Sequence, residues 1–531
     1  MDEFSYLPNG YAIWKAGAFH MDSGTTPLPK MLMALPVVIR SEIHCDLANV
    51  HDEASWRFGR RYLEENENAY HRSFMLARIV SIIALLATSL LVYAFASNLY
   101  GPTAGGLAAT CTALSPNMIA HGRLATTDIY FTAGMVLSLW AFDLFLRSPN
   151  VRRTCLLGVA VGATTLCKFT GLFLFFLLPI ALICILVLRR LGIGQHDDDL
   201  PIQRRTLYCG FAALGIAILT INAGYFFDGS LSRLDRFEFQ TTPFVFVQQL
   251  VPGWLPVPLP YYFVQGMDSQ LADAEYDSYL MGQFSLNGFW NYYFIAFLVK
   301  TPVALQLLVL AAFVCKRAVL HREVPILVVS IGLFAFLSFV GHKNIGLRYL
   351  LFLIPFFSIF IGRLTVSSFW TSVQHHWKIK GLAGVCCASL LVSSLLAWPH
   401  YLAYFNWPSG GPTRGHEYLL DSNLDWGQDL ILLREYMESQ RIESVDLAYF
   451  GRVPPDVYGI QYRPLIDEPA GRHVVISANL LWGRMYFVGG TSFWPDRDHY
   501  RAYRDLKPKA VIGHTLYVFE VKRENMNELT K

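Results

Sequence analysis

Three groups of charged residues in this 531-residue chain could carry chemistry. They are the adjacent pair Asp2-Glu3, the aspartate Asp128 in HGRLATTD, and the basic cluster from His342 to Arg348. A carboxylate can accept the proton of a hydroxyl group, and cations can stabilise an anion that is bound or released. If the three groups lie at the same face of a membrane, they indicate an enzyme that acts there on a charged substrate carried by a lipid.

The composition is typical of a membrane protein. Apolar residues make up 53% of the chain and charged residues only 16%, whereas about a quarter of the residues of soluble proteins are charged. The net charge of +3 gives no reason to invoke nucleic acid. The nine cysteines form no spaced metal or disulfide framework, and we interpret them as small apolar residues of helices.

Apolar stretches predict about ten transmembrane helices, because one crossing needs roughly 20 mostly apolar residues. The run from Cys155 to Leu188 is too long for one crossing, and we divide it at Lys168 and Gly171. The predicted fold class is therefore mainly α, a polytopic transmembrane helical bundle. The predicted spans are 77–97, 103–120, 127–146, 154–167, 170–189, 206–226, 292–314, 324–340, 347–363 and 380–398.

The basic residues of the short loops predict the orientation, since loops rich in Lys and Arg stay in the cytoplasm. We assign to the cytoplasm the richer set of alternate loops, which are 147–153, 189–205, 316–322 and 374–380. All three charged groups then face outward, together with the aromatic loop 228–291. Met1 would have to be translocated with no apolar helix before it. Either the amino terminus crosses unaided or a first transmembrane helix lies upstream of this chain, and we expect the second.

The segment from Pro399 to the end has a different character. Short apolar, β-rich runs at 445–450, 473–481 and 510–521 alternate with a helical pattern, DLILLREYMES. This alternation predicts a small α/β domain outside the membrane. The predicted domains are an extracytoplasmic first loop with the acidic pair, a transmembrane domain that includes the loop 228–291, and the extracytoplasmic α/β domain, over residues 1–76, 77–398 and 399–531.

Two stretches carry a resemblance to a known family. The first runs from Asp2-Glu3 to Pro27-Leu28-Pro29-Lys30, and the second, SPNMIAHGRLATTDIYF, contains Arg123 and Asp128. Together they resemble the protein O-mannosyltransferases of glycosyltransferase family 39 and their bacterial relatives, integral-membrane glycosyltransferases of the GT-C fold. The later segments HKNIGLRYLLFLIPFF and DSNLDWGQDL resemble parts of the bacterial members. That family also begins with a transmembrane helix ahead of the acidic pair.

The resemblance implies a membrane enzyme that moves a sugar from a polyprenyl-phosphate donor to an acceptor hydroxyl at the outer face. A single displacement would invert the anomeric carbon. By resemblance, Asp2 is the base and Glu3 supports it or binds the donor sugar. Asp128 would orient the acceptor or help Asp2 to hold a divalent metal ion, the one cofactor that we consider. Taken alone, Asp128 is better interpreted as an N-cap or first-turn acid favoured by its helix dipole.

The resemblance also assigns cations to the donor phosphate. Lys30 and Arg123 are the first candidates, Arg348 is a weaker third, and Lys168 either reaches the phosphate or extends to the membrane surface. The chain departs from the family pattern at Thr25-Thr26, where His-Pro is expected. Weaker donor binding, a different substrate and lost activity are therefore alternatives.

The implied partners are a lipid-linked sugar donor, membrane lipid, and an acceptor glycan, lipid or protein. The implied location is a bacterial inner membrane, with the active site facing the periplasm. A secondary transporter and a non-catalytic membrane scaffold remain as other functional classes. Charges at one surface and the absence of repeated halves favour the glycosyltransferase over the transporter.

Overall fold

A computed structural model describes residues 2–40, 42–48, 50, 53–194, 204–273, 276–315, 319–366 and 376–521. Parts of the predicted cytoplasmic loops 189–205, 316–322 and 374–380 lie outside the described residues. The described part is mainly helical and includes a five-stranded sheet near its carboxyl end. The predicted fold class, a helical membrane domain with a small α/β domain, is confirmed.

The first 76 residues, predicted as an outer loop, are largely helical. They contain helices α1 (Glu3–Ala16), α2 (Pro27–Val38) and α3 (Ser55–Glu65), and α1 packs against both of the others. A Cβ atom added at Gly10 would lie 2.0 Å from the Lys30 carbonyl oxygen, so α1 and α2 approach closely only because Gly10 has no side chain. The three helices escaped the span criterion because each is far shorter than roughly 20 apolar residues.

Fourteen further described helices follow before the C-terminal sheet. In the described residues five are long and apolar enough to cross a membrane, or six spans if one bent pair is counted, so this is a multi-pass membrane protein. The fourteen helices are α4 (Tyr70–Tyr100), α5 (Pro102–Ala113), α6 (Pro116–Gly122), α7 (Asp128–Arg147), α8 (Val151–Cys167), α9 (Leu174–Arg190), α10 (Arg204–Gly224), α11 (Thr242–Leu250), α12 (Tyr261–Ala272), α13 (Tyr292–Lys300), α14 (Val303–Val314), α15 (Val324–Phe339), α16 (Leu353–Ile361) and α17 (His376–Ala397).

Two predicted spans are broken at prolines. The span 103–120 divides because α5 ends at Ala113 and Pro116 opens α6, a first-turn position where the missing N–H of proline is not needed. The span 292–314 divides into α13 and α14, which meet at an angle of 116° next to Pro302. Both predictions of one continuous helix were wrong, since the apolar composition continues through the breaks and hides them.

Two other breaks position charged side chains. The predicted span 347–363 opens with a 3-10 turn at Leu347–Leu350 before α16, so it is not one regular helix. The division predicted at Lys168 is confirmed, because α8 ends at Cys167 and a 3-10 turn at Phe169–Phe173 precedes α9. Arg348 and Lys168 therefore lie outside the α-helices, at breaks where a side chain can leave the surface of its helix.

The predicted outer loop 228–291 and the C-terminal domain contain the strands. The β-rich runs predicted at 445–450, 473–481 and 510–521 form strands, and the last of them folds back as a hairpin. In the five-stranded sheet, of order β4-β3-β5-β7-β6, β3 is parallel to β4 and β5 while β7 is antiparallel to β5 and β6. The elements are β1 (Ser278–Leu280), β2 (Gln283–Ser285), α18 (Leu430–Gln440), β3 (Val445–Ala448), β4 (Tyr462–Pro464), β5 (His473–Ser477), α19 (Ala478–Leu481), β6 (Ala510–Ile512) and β7 (Leu516–Glu520).

Candidate functional site

A cavity of about 660 Å³ lies where the amino-terminal helices, the loop 228–291 and the C-terminal domain meet; we call it the central cavity. Five aspartates line it, namely Asp2, Asp22, Asp128, Asp273 and Asp421. Four cations line it as well, namely Lys168, Lys343, Arg348 and Arg452. Charged side chains inside a membrane protein are costly unless they pair or reach water, and they commonly mark function.

Asp2, Asp128, Lys168 and Arg348 form a connected ion cluster on the wall of this cavity, the cavity cluster. Arg348 Nη1 lies 3.0 Å from Asp2 Oδ2 and 3.9 Å from Asp128 Oδ2. Lys168 Nζ donates a hydrogen bond of 2.9 Å to Asp128 Oδ1. Four residues that the sequence analysis singled out are thus brought together, and their two negative and two positive charges compensate each other.

The local structure explains how these side chains converge. Asp128 is the first residue of α7, where the helix dipole favours an acid, and its Oδ1 accepts a hydrogen bond from Lys168. Lys168 follows the end of α8 in an extended conformation, and its ammonium lies 4.2 Å from the centre of the Tyr349 ring. Lys168 therefore reaches a carboxylate and an aromatic face rather than simply extending along its helix.

The two carboxylates of the cavity cluster differ in accessibility. The Asp2 side chain is 19% exposed and that of Asp128 is 2% exposed. Asp128 Oδ2 has no hydrogen-bond partner among the described residues and lies 3.9 Å from Arg348 Nη1. A ligand that enters the cavity would therefore meet Asp2 first.

Glu3 does not share the surroundings of Asp2, although the two residues are adjacent. Successive residues of a helix are rotated by about 100° from each other, and Glu3 lines a second cavity of about 460 Å³. Its two carboxylate oxygens accept hydrogen bonds of 3.0 and 2.6 Å from Arg78, and Oε1 also accepts one of 2.5 Å from the Ala125 N–H. Burial would raise the pKa of Glu3, but Arg78 and the Ala125 N–H outweigh it and hold that pKa at about 2.

Arg123 and Lys30 are likewise not brought into the cavity cluster. Arg123 lines the second cavity, and its guanidinium lies 5.4 Å from the centre of the Tyr401 ring. Lys30 is 2% exposed, and its ammonium donates to the carbonyl and side-chain oxygens of both Asp22 and Thr25, over 3.0 to 3.2 Å. Lys30 therefore holds the turn that brings Asp22 to the cavity, instead of facing the cavity itself.

Another part of the wall of the central cavity contains residues that sequence reasoning missed. Tyr276 Oη donates a hydrogen bond of 2.6 Å to Asp421 Oδ2, and Arg484 Nε lies 3.3 Å from the same oxygen. Burial, and then the charge of Asp421, raise the pKa of the Tyr276 phenol well above its usual value, so it remains a donor. Lys343 pairs with Asp273 beside them.

One available signal pointed to this wall. The segment DSNLDWGQDL, which resembles part of the bacterial family members, contains Asp421 and Trp426. Trp426 is 5% exposed, lines both cavities, and lies 4.4 Å from the Arg348 guanidinium. It therefore packs the C-terminal domain onto the membrane domain and also supports a member of the cavity cluster.

The carboxylates of the cavity cluster do not fit a resident divalent metal ion. Arg348 already lies between Asp2 and Asp128 and contacts both, so a second cation between them would face its repulsion. Among the described residues there is no group of three or more His, Cys, Asp or Glu side chains that could hold a metal ion.

Comparison with known proteins links part of this site to a family. Residues 70–193 match the family model of the dolichyl-phosphate-mannose-protein mannosyltransferases. The matched segment contains Arg123, Asp128 and Lys168, and the match confirms the resemblance to membrane glycosyltransferases that the sequence indicated. No curated protein sequence matches the chain.

Solved structures similar to this one include those of two membrane proteins from other organisms. ArnT from Cupriavidus metallidurans bound to undecaprenyl phosphate is 15% identical, with a TM-score of 0.43 over 76% of this chain and 64% of that one. The oligosaccharyltransferase AglB from Archaeoglobus fulgidus, in complex with an inhibitory peptide and a dolichol-phosphate, is 12% identical, with a TM-score of 0.44 over 82% of this chain and 54% of that one. The alignments thus span less than two thirds of the length of these proteins.

Proposed function

We propose that this protein is a glycosyltransferase that moves a sugar from a polyprenyl-phosphate donor to the hydroxyl of an acceptor bound in the central cavity. The observation that carries the proposal is the cavity cluster, in which an accessible carboxylate, Asp2, lies beside Arg348 and close to Lys168. A proton acceptor next to cations in a cavity is what this transfer requires. The family match over residues 70–193 supports the same reaction class.

The reaction is a single displacement. The acceptor oxygen attacks the anomeric carbon while the bond from that carbon to the phosphate oxygen breaks, and the bonding electron pair leaves with the phosphate. Asp2 accepts the proton of the attacking hydroxyl. Attack from the side opposite the leaving phosphate inverts the anomeric configuration.

The ion pair between Asp2 and Arg348 couples the transfer of the proton to the departure of the phosphate. When Asp2 becomes protonated it loses its charge, and the attraction that holds Arg348 to it weakens. Arg348 is then available to the phosphate at the moment when negative charge develops there. Asp128 and Lys168 keep Arg348 within the cavity, because Asp128 remains as its second carboxylate.

The other predicted residues act in support. Glu3 fastens α4 to the segment before α7 through Arg78 and the Ala125 N–H. Lys30 holds Asp22 at the cavity wall. The proposal retains the predicted location, a multi-pass protein of a bacterial inner membrane whose cavity opens to the periplasm, and the acceptor remains a glycan, a lipid or a protein.

Purified protein incubated with a panel of prenyl-phosphate sugars and candidate acceptors tests the proposal. We expect release of prenyl phosphate from at least one donor, and a product whose anomeric configuration is inverted. A retained configuration would contradict the single displacement. Movement of a solute into liposomes without consumption of any donor would replace the proposal with a transporter.

A further inference from the structure

The charge pairing around the central cavity leaves one cation without a carboxylate. Each aspartate that lines the cavity lies within 4.0 Å of a cation: Asp2 of Arg348, Asp22 of Lys30, Asp128 of Lys168 and Arg348, Asp273 of Lys343, and Asp421 of Arg484. Arg452 also lines the cavity, and no described carboxylate lies within 4.0 Å of it. An anion that enters therefore finds every other lining cation already compensated.

Aromatic rings hold the Arg452 guanidinium in place. Its centre lies 3.8 Å from the centre of the Trp56 ring, 4.5 Å from that of Phe487 and 5.8 Å from that of Tyr486. Its Nε is buried and has no hydrogen-bond partner among the described residues. Aromatic faces attract the flat face of a guanidinium, whereas its N–H groups point outward in the guanidinium plane and are not used by this attraction. One of them faces the Tyr486 hydroxyl, and the others remain available to a planar or tetrahedral anion.

The position of Arg452 in the fold is one where ligands commonly bind. Strand β3 ends at Ala448 and its parallel neighbour β5 ends at Ser477. Arg452 follows the first strand and Tyr486 follows the second, and both side chains line the central cavity. Ligands of sheets with parallel strands bind in the crevice beyond the carboxyl ends of those strands. Here that crevice opens onto the cavity cluster.

We propose that Arg452, supplied by the C-terminal domain, binds the phosphate of the lipid-linked donor in the central cavity. This inference rests on the proposed function, since it names the group that holds the donor of that reaction. It replaces Lys30 and Arg123, whose side chains face elsewhere. It also gives the C-terminal domain a direct part in donor binding, because the membrane domain alone would present only compensated cations.

The free energy of binding explains why an unpaired arginine suits this role. A phosphate that binds Lys168 or Arg348 must compete with Asp128 or Asp2 for the same charge, whereas a phosphate that binds Arg452 displaces no carboxylate. The aromatic rings have already removed part of the water around the guanidinium, so less desolvation remains when the phosphate arrives. Arg452 therefore holds the phosphate before the reaction, and Arg348 meets it as the bond breaks.

Binding of two matched prenyl ligands to the full-length protein in detergent tests this inference. Farnesyl phosphate has the phosphate, and farnesol has the same chain without it, so the ratio of their affinities isolates the phosphate contact. We expect wild-type protein to prefer farnesyl phosphate. Arg452→Ala should reduce that preference about tenfold or more, the usual effect of losing a hydrogen bond to a charged group, and leave farnesol binding unchanged.

Two further variants keep the result interpretable. Arg472 lies at the opposite, amino end of β5 and pairs with Glu520. The variant Arg472→Ala should therefore leave the preference for farnesyl phosphate unchanged. Arg452→Lys keeps the charge but not the planar fork, and it should fall between wild type and Arg452→Ala. If Arg452→Ala is folded and keeps the full preference, the inference is wrong. If wild-type protein shows no preference for the phosphate, the proposed function itself fails.

Discussion

The membrane domain contains a second cluster of buried charges, and its comparison with the cavity cluster is instructive. Asp143 lies in the same helix as Asp128 but 15 residues later, about 22 Å away along α7. Arg322 donates two hydrogen bonds of 2.6 Å to the two oxygens of Asp143. Next to it, Glu323 accepts a hydrogen bond of 2.5 Å from Tyr100 Oη and lies 3.8 Å from Arg363. We call these residues the distal cluster.

The two clusters differ in how completely the carboxylates of their aspartates are satisfied. In the distal cluster a bidentate pair uses both carboxylate oxygens, and the side chains of Asp143 and Arg322 are 2% and 9% exposed. In the cavity cluster Asp128 Oδ2 has no hydrogen-bond partner in the described structure, and Asp2 is open to a large cavity. Buried charges therefore do not identify a reactive site by themselves. Incomplete pairing beside an open cavity does.

The largest expected effect separates the two clusters by activity. Asp2→Asn should lower the rate of sugar transfer about 10²- to 10⁴-fold, because an amide cannot accept the proton of the acceptor hydroxyl. The amount of folded protein and its melting temperature should remain close to wild type, since Asn can still accept a hydrogen bond from Arg348. A folded Asp2→Asn variant with wild-type activity would remove Asp2 from the mechanism.

The distal cluster should respond in the opposite way. Arg322→Ala leaves Asp143 buried without its partner, and such a loss destabilises proteins by about 3–5 kcal/mol. We expect a large fall in melting temperature, with the specific activity of the protein that remains folded within about twofold of wild type. The double variant Asp143→Leu with Arg322→Met, which has no charge to bury, should recover much of the lost stability. A stable but inactive Arg322→Ala variant would contradict the comparison.

Lys168 offers a finer test within the cavity cluster. Lys168→Met removes the cation that holds Asp128 Oδ1 and leaves a side chain of similar length. Asp128 should then draw Arg348 away from Asp2 and from the leaving phosphate, and the transfer rate should fall about tenfold, a change of about 1.4 kcal/mol in the activation free energy. The rate should fall less than in Asp2→Asn, and an equal or larger fall would assign Lys168 a more direct role.

The smallest expected effect is a dependence of stability on pH in the C-terminal domain. Burial raises the pKa of Asp425 and of Asp429 to about 7. Both carboxyl groups are therefore neutral in the folded protein at pH values at which they would be charged in the unfolded chain. The stability that this contributes is fully present below about pH 4, near the unfolded pKa, and is lost as pH rises through about 7.

Thermal unfolding at pH 5 and pH 8 checks this sign. The domain should melt at a higher temperature at pH 5, and Asp425→Asn, which is neutral at both values, should reduce the difference. Equal melting temperatures of the wild-type protein at the two pH values would show that these carboxyl groups are charged when folded.

Membrane topology explains how much of the site could be predicted. Asp2, Asp128 and Arg348 were assigned to one face because loop charges and span lengths fix the side of each segment, and the structure brings them together. Lys168 was placed between two spans by the same reasoning. Their catalytic and binding roles stay predictions. Helix boundaries inside apolar runs, such as the break at Pro302, could not be predicted from composition that is uniform across them.

Other parts of the site depend on the directions in which side chains point, and a sequence pattern does not specify those directions. The adjacent pair Asp2-Glu3 reads as one acidic unit, but the start of α1 turns its two side chains into different cavities. Lys30 fits the family pattern, yet its ammonium is taken up by Asp22 and Thr25. Arg452 lies 450 positions from Asp2 along the chain, and only the packing of the C-terminal domain brings both to the same cavity.

Location of a bound donor tests the central claim most directly. A prenyl-phosphate sugar with a photoreactive diazirine on its first isoprene unit can be cross-linked to the purified protein, and the modified peptides identified by mass spectrometry. We expect adducts on the segments around Asp2, Lys168 and Arg348, suppressed by an excess of unlabelled prenyl phosphate. Adducts confined to the segments around Asp143 and Arg322, or adducts that the competitor does not suppress, would contradict the account.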